Sequence, residues 1–285
     1  MASSTQKVDK KEGVMLLKIA GQEVEFSGSD TDDYFKSLQT HANSFDDLIQ
    51  LASRVPADAV IFDVGANIGV SAAIMALVKP AARIFAFEPS PANIGFLRQN
   101  TARFPNVTVV EAAASHKPGT LHFHMSDYGA GSHVVTENHI TLGMPVVDVP
   151  AIRLDDYANE HALRPALIKL DVEGHEPEVL AGAGRILSEE RPFVHMEFNT
   201  WTLNAYAGHS PAAFAQALWH AFDVEVHNNP KPNSLTFLHD HFVKDHCFAD
   251  LIMKPKAGVP MPTYEEMSFS PAAREAISAA RQLPR

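Results

Sequence analysis

The stretch VIFDVGANIGVS, residues 60–71, decides the fold of this chain, because an apolar run ends there in an acid, two glycines and a helical pattern. Such a pattern is typical of a buried strand that turns sharply onto a helix. A second apolar run, RIFAFEP at 83–89, ends in another acid, Glu88, nineteen residues after Gly69. This separation is expected of neighbouring strands in a βαβ unit. The two strand ends therefore predict one side of a ligand pocket.

Apolar runs and helical patterns alternate through the middle of the chain. Strands are predicted at 59–63, 83–88, 107–112, 166–171 and 193–198. Helical spacing of apolar residues is found between them, at 71–78, 91–101 and 176–188. Two later runs predict a terminal antiparallel pair, with no helix between them, at 223–227 and 249–253. The sequence therefore predicts a doubly wound α/β sheet that is mostly parallel and has an antiparallel last strand.

The pattern divides the chain into three parts. Residues 1–57 hold a predicted hairpin and one short helix, which form an N-terminal appendage. Residues 58–255 form the main domain, and 256–285 form a tail whose helix, at 271–281, is assigned to the surface or to a subunit contact. Within the main domain, a segment at 127–145 rich in Gly, His and Asn lies between two extra strands. It is a candidate lid or substrate loop.

Composition restricts the class of protein and its partners. Apolar residues make up 46% of the chain and charged residues 20%, as in an ordinary globular protein. The formal charge is -11 and no cluster of Lys and Arg is present, which argues against nucleic acid as a partner. One cysteine cannot form an internal disulfide, and no signal peptide or membrane span is visible. These features favour a cytoplasmic protein without a membrane span.

The glycine-containing turn favours one adenosine-bearing cofactor over another. Gly65 and Gly69 allow a close approach of the backbone to a ligand, and Asn67 between them tolerates unusual φ and ψ values. A dinucleotide site would read G-x-G-x-x-G, which this turn does not. Asp63 would repel a pyrophosphate but attract the ammonium of an amino-acid moiety, and Glu88 can accept hydrogen bonds from ribose hydroxyls. The turn therefore favours S-adenosylmethionine over NAD.

A second group of polar residues follows the fourth predicted strand. Lys169, Asp171 and Glu173 alternate along the chain, so their side chains share one side before Gly174 breaks the run. Transfer of a group to a neutral alcohol needs a base to remove the hydroxyl proton. Asp171, Glu173 or His175 could serve as this base, and Lys169 could orient a carboxylate. Pairing of Lys169 with Glu173, or capping of the next helix, is the structural alternative.

The fifth predicted strand adds polar residues to the same edge. Glu197 and Asn199 would lie close to Asp171 if the fourth and fifth strands are adjacent, and this set of oxygens suits Mg²⁺. The histidines at 239–246 lack the paired spacing of a zinc site and are assigned to a polar loop. Trp201 and Tyr206 follow the strand and form either a sugar-stacking wall or part of the core.

Three motifs of this chain resemble those of a known family. The runs FDVGANIGVSA at 62–72, FEPSPANIGFLRQN at 87–100 and especially IKLDVEGHEPEVLAGA at 168–183 resemble the FkbM family of S-adenosylmethionine-dependent methyltransferases. The resemblance implies a seven-stranded Rossmann-like sheet and O-methylation of a hydroxyl on a sugar, glycan or secondary metabolite. It also implies cofactor contacts at Asp63, Gly65, Asn67, Gly69, Glu88 and Pro89, with the adenine near Ala113.

Two other functions remain as alternatives. An NAD-dependent oxidoreductase would use a related fold, and a scaffold protein would bind the cofactor without catalysis. The acids at 171, 173 and 197 argue against the scaffold, because an inactive site has no chemical need for clustered carboxylates that repel one another. The acceptor is expected to be a small molecule or a carbohydrate, and the sequence leaves the oligomeric state open.

Overall fold

A seven-stranded sheet forms the centre of the computed structural model, which describes residues 12–38, 45–126, 131–135, 145–226, 233–244 and 246–281. With strands numbered along the chain, its spatial order is β12 (Phe222–Val226), β13 (Phe248–Pro255), β11 (Phe193–Asn199), β10 (Pro165–Leu170), β3 (Val60–Val64), β4 (Arg83–Phe87) and β5 (Val107–Val110). Strands from β11 to β5 run parallel, whereas β13 is antiparallel to both of its neighbours. The predicted fold class is confirmed.

The order of strands in this sheet reverses between β3 and β10. Later strands are added on one side of β3 as β4 and β5, and on the other side as β10 and β11. In doubly wound sheets, ligands bind at such a switch point, in the crevice beyond the carboxyl ends of the strands. Asp63, Glu88 and Asp171 lie at or just past these ends, so the fold brings the predicted site residues to one edge.

Both faces of the sheet are buried, which explains the continuous apolar runs in the sequence. In β3, Phe62 belongs to one apolar cluster and Ile61 belongs to the cluster on the opposite face. The Phe62 ring packs edge-on against Phe85 and Phe87, with centroids 5.9 and 5.2 Å apart. A polar residue within these strands would therefore be buried, and Asp63 is fully so.

Helices cover the two faces and follow most of the predicted ranges. Along the chain they are α1 (Asp33–Ser37), α2 (Asp46–Ser53), α3 (Val70–Val78), α4 (Pro91–Thr101), α5 (Leu154–Glu160), α6 (Glu176–Gly182), α7 (Gly184–Glu189), α8 (Thr200–Ala205), α9 (Pro211–Ala221), α10 (Ser234–Val243), α11 (Tyr264–Ser268) and α12 (Pro271–Arg281). The helix predicted at 176–188 is broken at Ala183, whose φ of -112° and ψ of 15° lie outside the helical region.

The segment before β13 contains a helix that the sequence analysis missed. Residues 228–248 were expected to hold a polar loop, but α10 lies within them. Asn233 caps this helix by accepting a hydrogen bond from the Thr236 amide, and Phe237 and His241 on its inner face are fully buried. An Asn cap followed by apolar residues at helical spacing was the signal in the sequence. The prediction of a loop was wrong because histidines on the buried face were counted as polar surface.

The N-terminal segment packs against the glycine-containing turn. Strands β1 (Glu12–Ile19) and β2 (Gln22–Ser29) pair as the predicted hairpin. Phe26 shares a buried cluster with Ile68, in the turn before α3, and with Ile74 on α3. Asn100 donates to the carbonyl oxygens of Ser27 at 2.9 Å and Ile68 at 2.7 Å, so one side chain joins the hairpin to the turn. The N-terminal hairpin therefore packs on the turn and α3 of the main domain. The division of the chain into three parts stays a prediction.

A smaller mixed sheet follows β5. It contains β6 (Ala113–Ala114), β9 (Val146–Ile152), β7 (Gly119–His124) and β8 (His133–Val134), which confirms the two predicted extra strands. The candidate lid at 127–145 lies mostly outside the described residues. At the other end of the chain, α11 packs against α6 and α9. No helix among the described residues is both long and apolar enough to cross a membrane.

Candidate functional site

A cavity of about 540 Å³ opens at the switch point of the sheet. This volume lies in the range of small-molecule and cofactor sites. Ten of the predicted site residues line it: Gly65, Asn67, Glu88, Pro89, Ala113, Lys169, Asp171, Glu173, His175 and Glu197. The other three, Asp63, Gly69 and Asn199, are not in its wall. The structure therefore brings together most of the residues that the motifs singled out.

The turn after β3 depends on backbone conformations that favour glycine. Gly65 has a φ of 78° and Gly69 a φ of 89°, and Asn67 between them has a φ of 50°. A Cβ built on Gly65 would overlap the carbonyl oxygen of Asp171. Gly69 is the N-cap of α3 and lies against Leu97, behind the cavity wall. Gly69 therefore shapes the turn, while Gly65 and Asn67 present it to the cavity.

Glu88 joins the turn to the end of β4. Its carboxylate accepts hydrogen bonds from the amides of Asn67 at 2.8 Å and Ser90 at 2.9 Å, and from Asn93 Nδ2 at 3.4 Å. Burial raises the pKa of Glu88 to about 7 despite these donors. Each carboxylate oxygen has two acceptor positions; Oε1 accepts two of these hydrogen bonds and Oε2 accepts one, so Oε2 can accept a further hydrogen bond from a ligand hydroxyl. This placement is compatible with the predicted ribose contact.

Asp63 is buried behind the residues that line the cavity and does not line it itself. Its Oδ2 accepts a hydrogen bond from Ser71 Oγ at 2.7 Å, and its Oδ1 is 3.8 Å from Lys169 Nζ. Lys169 donates to Asp171 Oδ2 at 3.1 Å and to the carbonyl of Gly65 at 2.9 Å. Burial would lower the pKa of Lys169, but Asp171 and Asp63 outweigh it and raise the pKa. Lys169 thus holds the Asp171 carboxylate and joins it to the turn after β3, a placement that is compatible with its predicted role of orienting a carboxylate.

Two half-buried carboxylates, Glu173 and Glu197, line the cavity with Asp171. Burial, together with the charge of Asp171, raises the pKa of both well above the ordinary value. Glu173 also has a φ of 54°, an unfavourable backbone conformation for a non-glycine residue, and Gly174 after it has a φ of 97°. Backbone strain of this kind is concentrated at functional sites. A carboxylate with a raised pKa in a cavity is suited to take a proton near neutral pH.

The oxygen set predicted for Mg²⁺ is not assembled. Asn199 Oδ1 accepts hydrogen bonds from the amides of Trp201 at 3.0 Å and Thr202 at 3.3 Å, because Asn199 is the N-cap of α8. Its Nδ2 donates to Glu197 Oε1 at 3.2 Å, so the amide presents nitrogen and not oxygen to the acids. Within the described ranges, no group of three or more His, Cys, Asp and Glu residues could hold a metal ion. Asn199 is therefore corrected from a metal ligand to a helix cap.

His175 belongs to a buried network beside the cavity. Its Nε2 lies 3.0 Å from Ser115 Oγ, and its Nδ1 lies 3.6 Å from Glu178 Oε2. His209 Nε2 lies 3.0 Å from each oxygen of the same Glu178. Burial lowers the pKa of His175, which keeps the ring neutral. Both ring nitrogens have neighbours in the protein, so His175 is the weakest of the three predicted bases.

Several residues of the wall had no place in the sequence analysis. Tyr34, on α1, and Leu38, the residue after α1, both line the cavity. The neighbouring Phe35 ring packs on Gly28, where a Cβ would overlap the ring. Burial raises the pKa of Tyr34, so its hydroxyl stays protonated and can donate. From the central sheet, Asp250 on β13 also lines the cavity. The signal for Asp250 was the alternation along β13, but nothing in the sequence marked α1 as part of the site.

Known proteins are similar to part of this chain. The model of the methyltransferase FkbM domain matches residues 63–230. The 2-O-methyltransferase NoeI of Sinorhizobium fredii is 30% identical over 181 residues, which cover 59% of this chain and 73% of that protein. The hexuronic acid methyltransferase AglP of Haloferax volcanii is 30% identical over 173 residues, covering 59% and 67%. The 31-O-demethyl-FK506 methyltransferase FkbM of Streptomyces tacrolimicus is 30% identical over 152 residues, covering 43% and 58%.

Proposed function

The chain belongs to the FkbM methyltransferase family, and from this premise we propose that it methylates a hydroxyl of a sugar, glycan or secondary metabolite with S-adenosylmethionine. The family assignment confirms the resemblance of the three motifs and removes the NAD-dependent oxidoreductase. The observation that carries the proposal is the cavity at the switch point, where the glycine-containing turn, Glu88 and the carboxylates of Glu173 and Glu197 meet. The side formed by the turn and Glu88 suits a nucleoside, and the side formed by Glu173 and Glu197 suits proton removal from an alcohol.

The residues present fit the cofactor. Asn67 Oδ1 is buried and has no hydrogen-bond partner among the described residues, so a ligand donor would satisfy it. Glu88 would accept from the ribose hydroxyls, and Gly65 would allow close approach, with Pro89 and Ala113 completing the wall. When bound, S-adenosylmethionine supplies an electrophilic methyl group on a sulfonium. Asp63 would act on this site through Lys169 and not by direct contact.

We assign proton removal from the acceptor hydroxyl to Glu173. Asp171 is held by Lys169, and His175 is held within its buried network. By contrast, no described residue donates a hydrogen bond to the carboxylate of Glu173, which lines the cavity. Its raised pKa favours acceptance of a proton, which then passes to solvent.

Mg²⁺ is an alternative means of activating the hydroxyl. Asp171 and Glu197 line the cavity and would supply two carboxylate ligands, without Asn199. Methyl transfer that continues in a strong chelator would leave proton removal to Glu173 alone. Loss of transfer that added Mg²⁺ restores would assign this step to a metal.

The remaining expectations belong to the same proposal. We infer that residues 58–255 form the cofactor-binding domain and that the N-terminal segment covers its cavity, since Tyr34 lies in the wall. A cytoplasmic location is supported by the single Cys247, and the charge of -11 argues against a nucleic-acid partner. The exposed α12 is a candidate subunit contact.

Calorimetry and a transfer assay test the proposed function. The purified chain is expected to bind S-adenosylhomocysteine and not NAD, and to move a labelled methyl group onto hydroxyl-bearing extracts. NAD binding without S-adenosylhomocysteine binding would contradict the proposal. Binding without any transfer, unchanged by Asp171→Asn and Glu173→Gln, would support the scaffold protein instead.

Replacement of Glu88 by Gln is expected to remove a pH dependence of cofactor binding. In the free protein the pKa of Glu88 is about 7, so below this pH the carboxyl is mostly protonated. Ribose hydroxyls that donate to the carboxylate favour its charged form, so binding releases a proton and tightens as pH rises through that pKa. Affinity for S-adenosylhomocysteine should rise by up to about tenfold per pH unit below the pKa and then level off.

Calorimetry across this pH range compares Glu88→Gln with Glu111→Gln, a change in an exposed acid outside the cavity. The Glu111 variant should keep the wild-type pH dependence, whereas Glu88→Gln should bind more weakly above the pKa and show a flat profile. A Glu88 variant that retains the full rise would show that another group titrates on binding.

A further inference from the structure

A row of aromatic side chains runs from the protein surface to the cavity. Trp201, near the start of α8, is 58% exposed, and its ring meets Tyr206 edge-on with centroids 4.8 Å apart and planes at 78°. Tyr206 stacks on His133 at 3.6 Å with planes at 3°. The flanking residues Ser132 and Val134 line the cavity. The exposed indole is therefore held by a stack of rings that ends at the cavity wall.

The backbone of Trp201 is joined through Asn199 to one carboxylate of the cavity. Asn199 accepts a hydrogen bond from the Trp201 amide and donates one to Glu197, so one side chain joins the two. Phe248 pairs with Asn199 across β11 and β13, is 48% exposed and lines the cavity. Two exposed aromatic side chains therefore lie at the end of β11 where the cavity opens.

We propose that Trp201 and Phe248 form a pyranose-binding subsite, in which the C–H face of the acceptor's sugar ring packs on the aromatic faces while its hydroxyls reach Glu173 and Glu197. This inference rests on the proposed function and narrows its substrate class to carbohydrate. A sugar ring has an apolar C–H face and hydroxyl groups around its edge. The aromatic rings of this site match the face, and its carboxylates match the hydroxyl donors.

The carboxylates favour a sugar over a wholly apolar acceptor. Glu173 receives no hydrogen bond from a described residue and Glu197 receives one, from Asn199, so an apolar molecule over them would leave acceptor positions unfilled at a free-energy cost. A chain of sugar hydroxyls supplies those donors. The Asn199 cap fixes the Trp201 backbone and the Tyr206 ring packs against the indole, so part of the ordering cost of binding is already met in the free protein.

Tryptophan fluorescence tests the subsite directly. The chain contains two tryptophans, and the second, Trp219, stacks on Phe237 in the core at 4.8 Å. The Trp219→Phe variant leaves Trp201 as the only indole. With S-adenosylhomocysteine bound, cellotetraose, chitotetraose and tetragalacturonate serve as neutral, N-acetylated and acidic pyranose probes. At least one should shift Trp201 emission to the blue and reduce its quenching by acrylamide.

Two control probes test whether hydroxyl groups alone, or an apolar ring alone, are enough for binding. Sorbitol has hydroxyls without a ring face, and cyclohexanol has an apolar ring with one hydroxyl. Neither should protect Trp201. No protection by any of the three tetrasaccharides, or equal protection by cyclohexanol, would overturn the inference. A Trp201→Ala change that lowers the mass of the protein in sedimentation would also overturn it, since the indole would then be a contact between copies.

Kinetics complete the test with whichever tetrasaccharide is methylated. Trp201→Ala should raise KM for the sugar by about tenfold with little change in kcat, and Trp201→Phe should restore most of the loss. Affinity for S-adenosylhomocysteine should not change. Failure of the proposed function would appear differently, as absence of S-adenosylhomocysteine binding or of transfer to any hydroxyl. Transfer to a sugar with unchanged KM in Trp201→Ala would overturn the subsite alone.

Discussion

Glu173→Gln is expected to lower kcat for methyl transfer by about 10²- to 10⁴-fold, the usual contribution of a positioned general base. Gln has nearly the same shape as Glu but cannot accept the hydroxyl proton. Binding of S-adenosylhomocysteine should be unchanged, because Glu88 and the glycine-containing turn provide those contacts. Initial rates with a labelled methyl donor and calorimetry with the product measure the two quantities separately.

The pH profile distinguishes a base from a residue that only shapes the cavity. Burial and the charge of Asp171 raise the pKa of Glu173, so the wild-type kcat/KM for the acceptor should rise with pH through that raised pKa and then level off. The Gln variant should lose this rise. Glu189→Gln on α7, whose side chain is 62% exposed, is the matched control and should behave as wild type. A Glu173 variant with near-normal kcat and an unchanged profile would contradict the assignment.

The central sheet was predictable because its strands are buried on both faces. Phe62 and Ile61 face opposite cores, so β3 appears in the sequence as an unbroken apolar run that ends at the turn. The acids at the ends of β3, β4 and β10 followed from the same regularity, since parallel strands place their carboxyl ends at one edge. Local pattern and global fold agree in this part of the chain, and the motifs therefore located most of the cavity.

The parts that the sequence did not predict depend on tertiary contacts. Asn199 could be a ligand or a cap by residue type alone, and only the path of α8 decides that its oxygen turns to the amides of Trp201 and Thr202. Tyr34 reaches the cavity because the hairpin folds back onto α3, which no local pattern specifies. His241 is buried on α10, where its polarity in the sequence suggested a loop.

Gly65→Ala is expected to destabilise the protein by about 3 kcal/mol or more and to abolish cofactor binding. Two costs combine at this position. The φ of 78° is unfavourable for any residue with a Cβ, and the added methyl group would overlap the carbonyl oxygen of Asp171, with its carbonyl carbon only 2.9 Å away. Relief requires β3 and β10 to separate at their carboxyl ends, which displaces the turn that presents Asn67 to the cavity. Urea unfolding and calorimetry with S-adenosylhomocysteine measure the two effects.

Gly95→Ala provides a matched control for this change, because the same methyl group is added at an open position. Gly95 lies on the exposed side of α4, and apart from α4 itself no described residue has an atom within 4 Å of a Cβ built there. Alanine favours a helix interior over glycine by about 0.8–1.0 kcal/mol, so this variant should unfold at a slightly higher urea concentration and bind normally. If Gly65→Ala unfolds at the same urea concentration as wild type and binds with the same Kd, the close contact of the turn with Asp171 does not constrain the fold. If it unfolds early but still binds, the turn tolerates displacement and the cofactor contacts must be made elsewhere in the cavity.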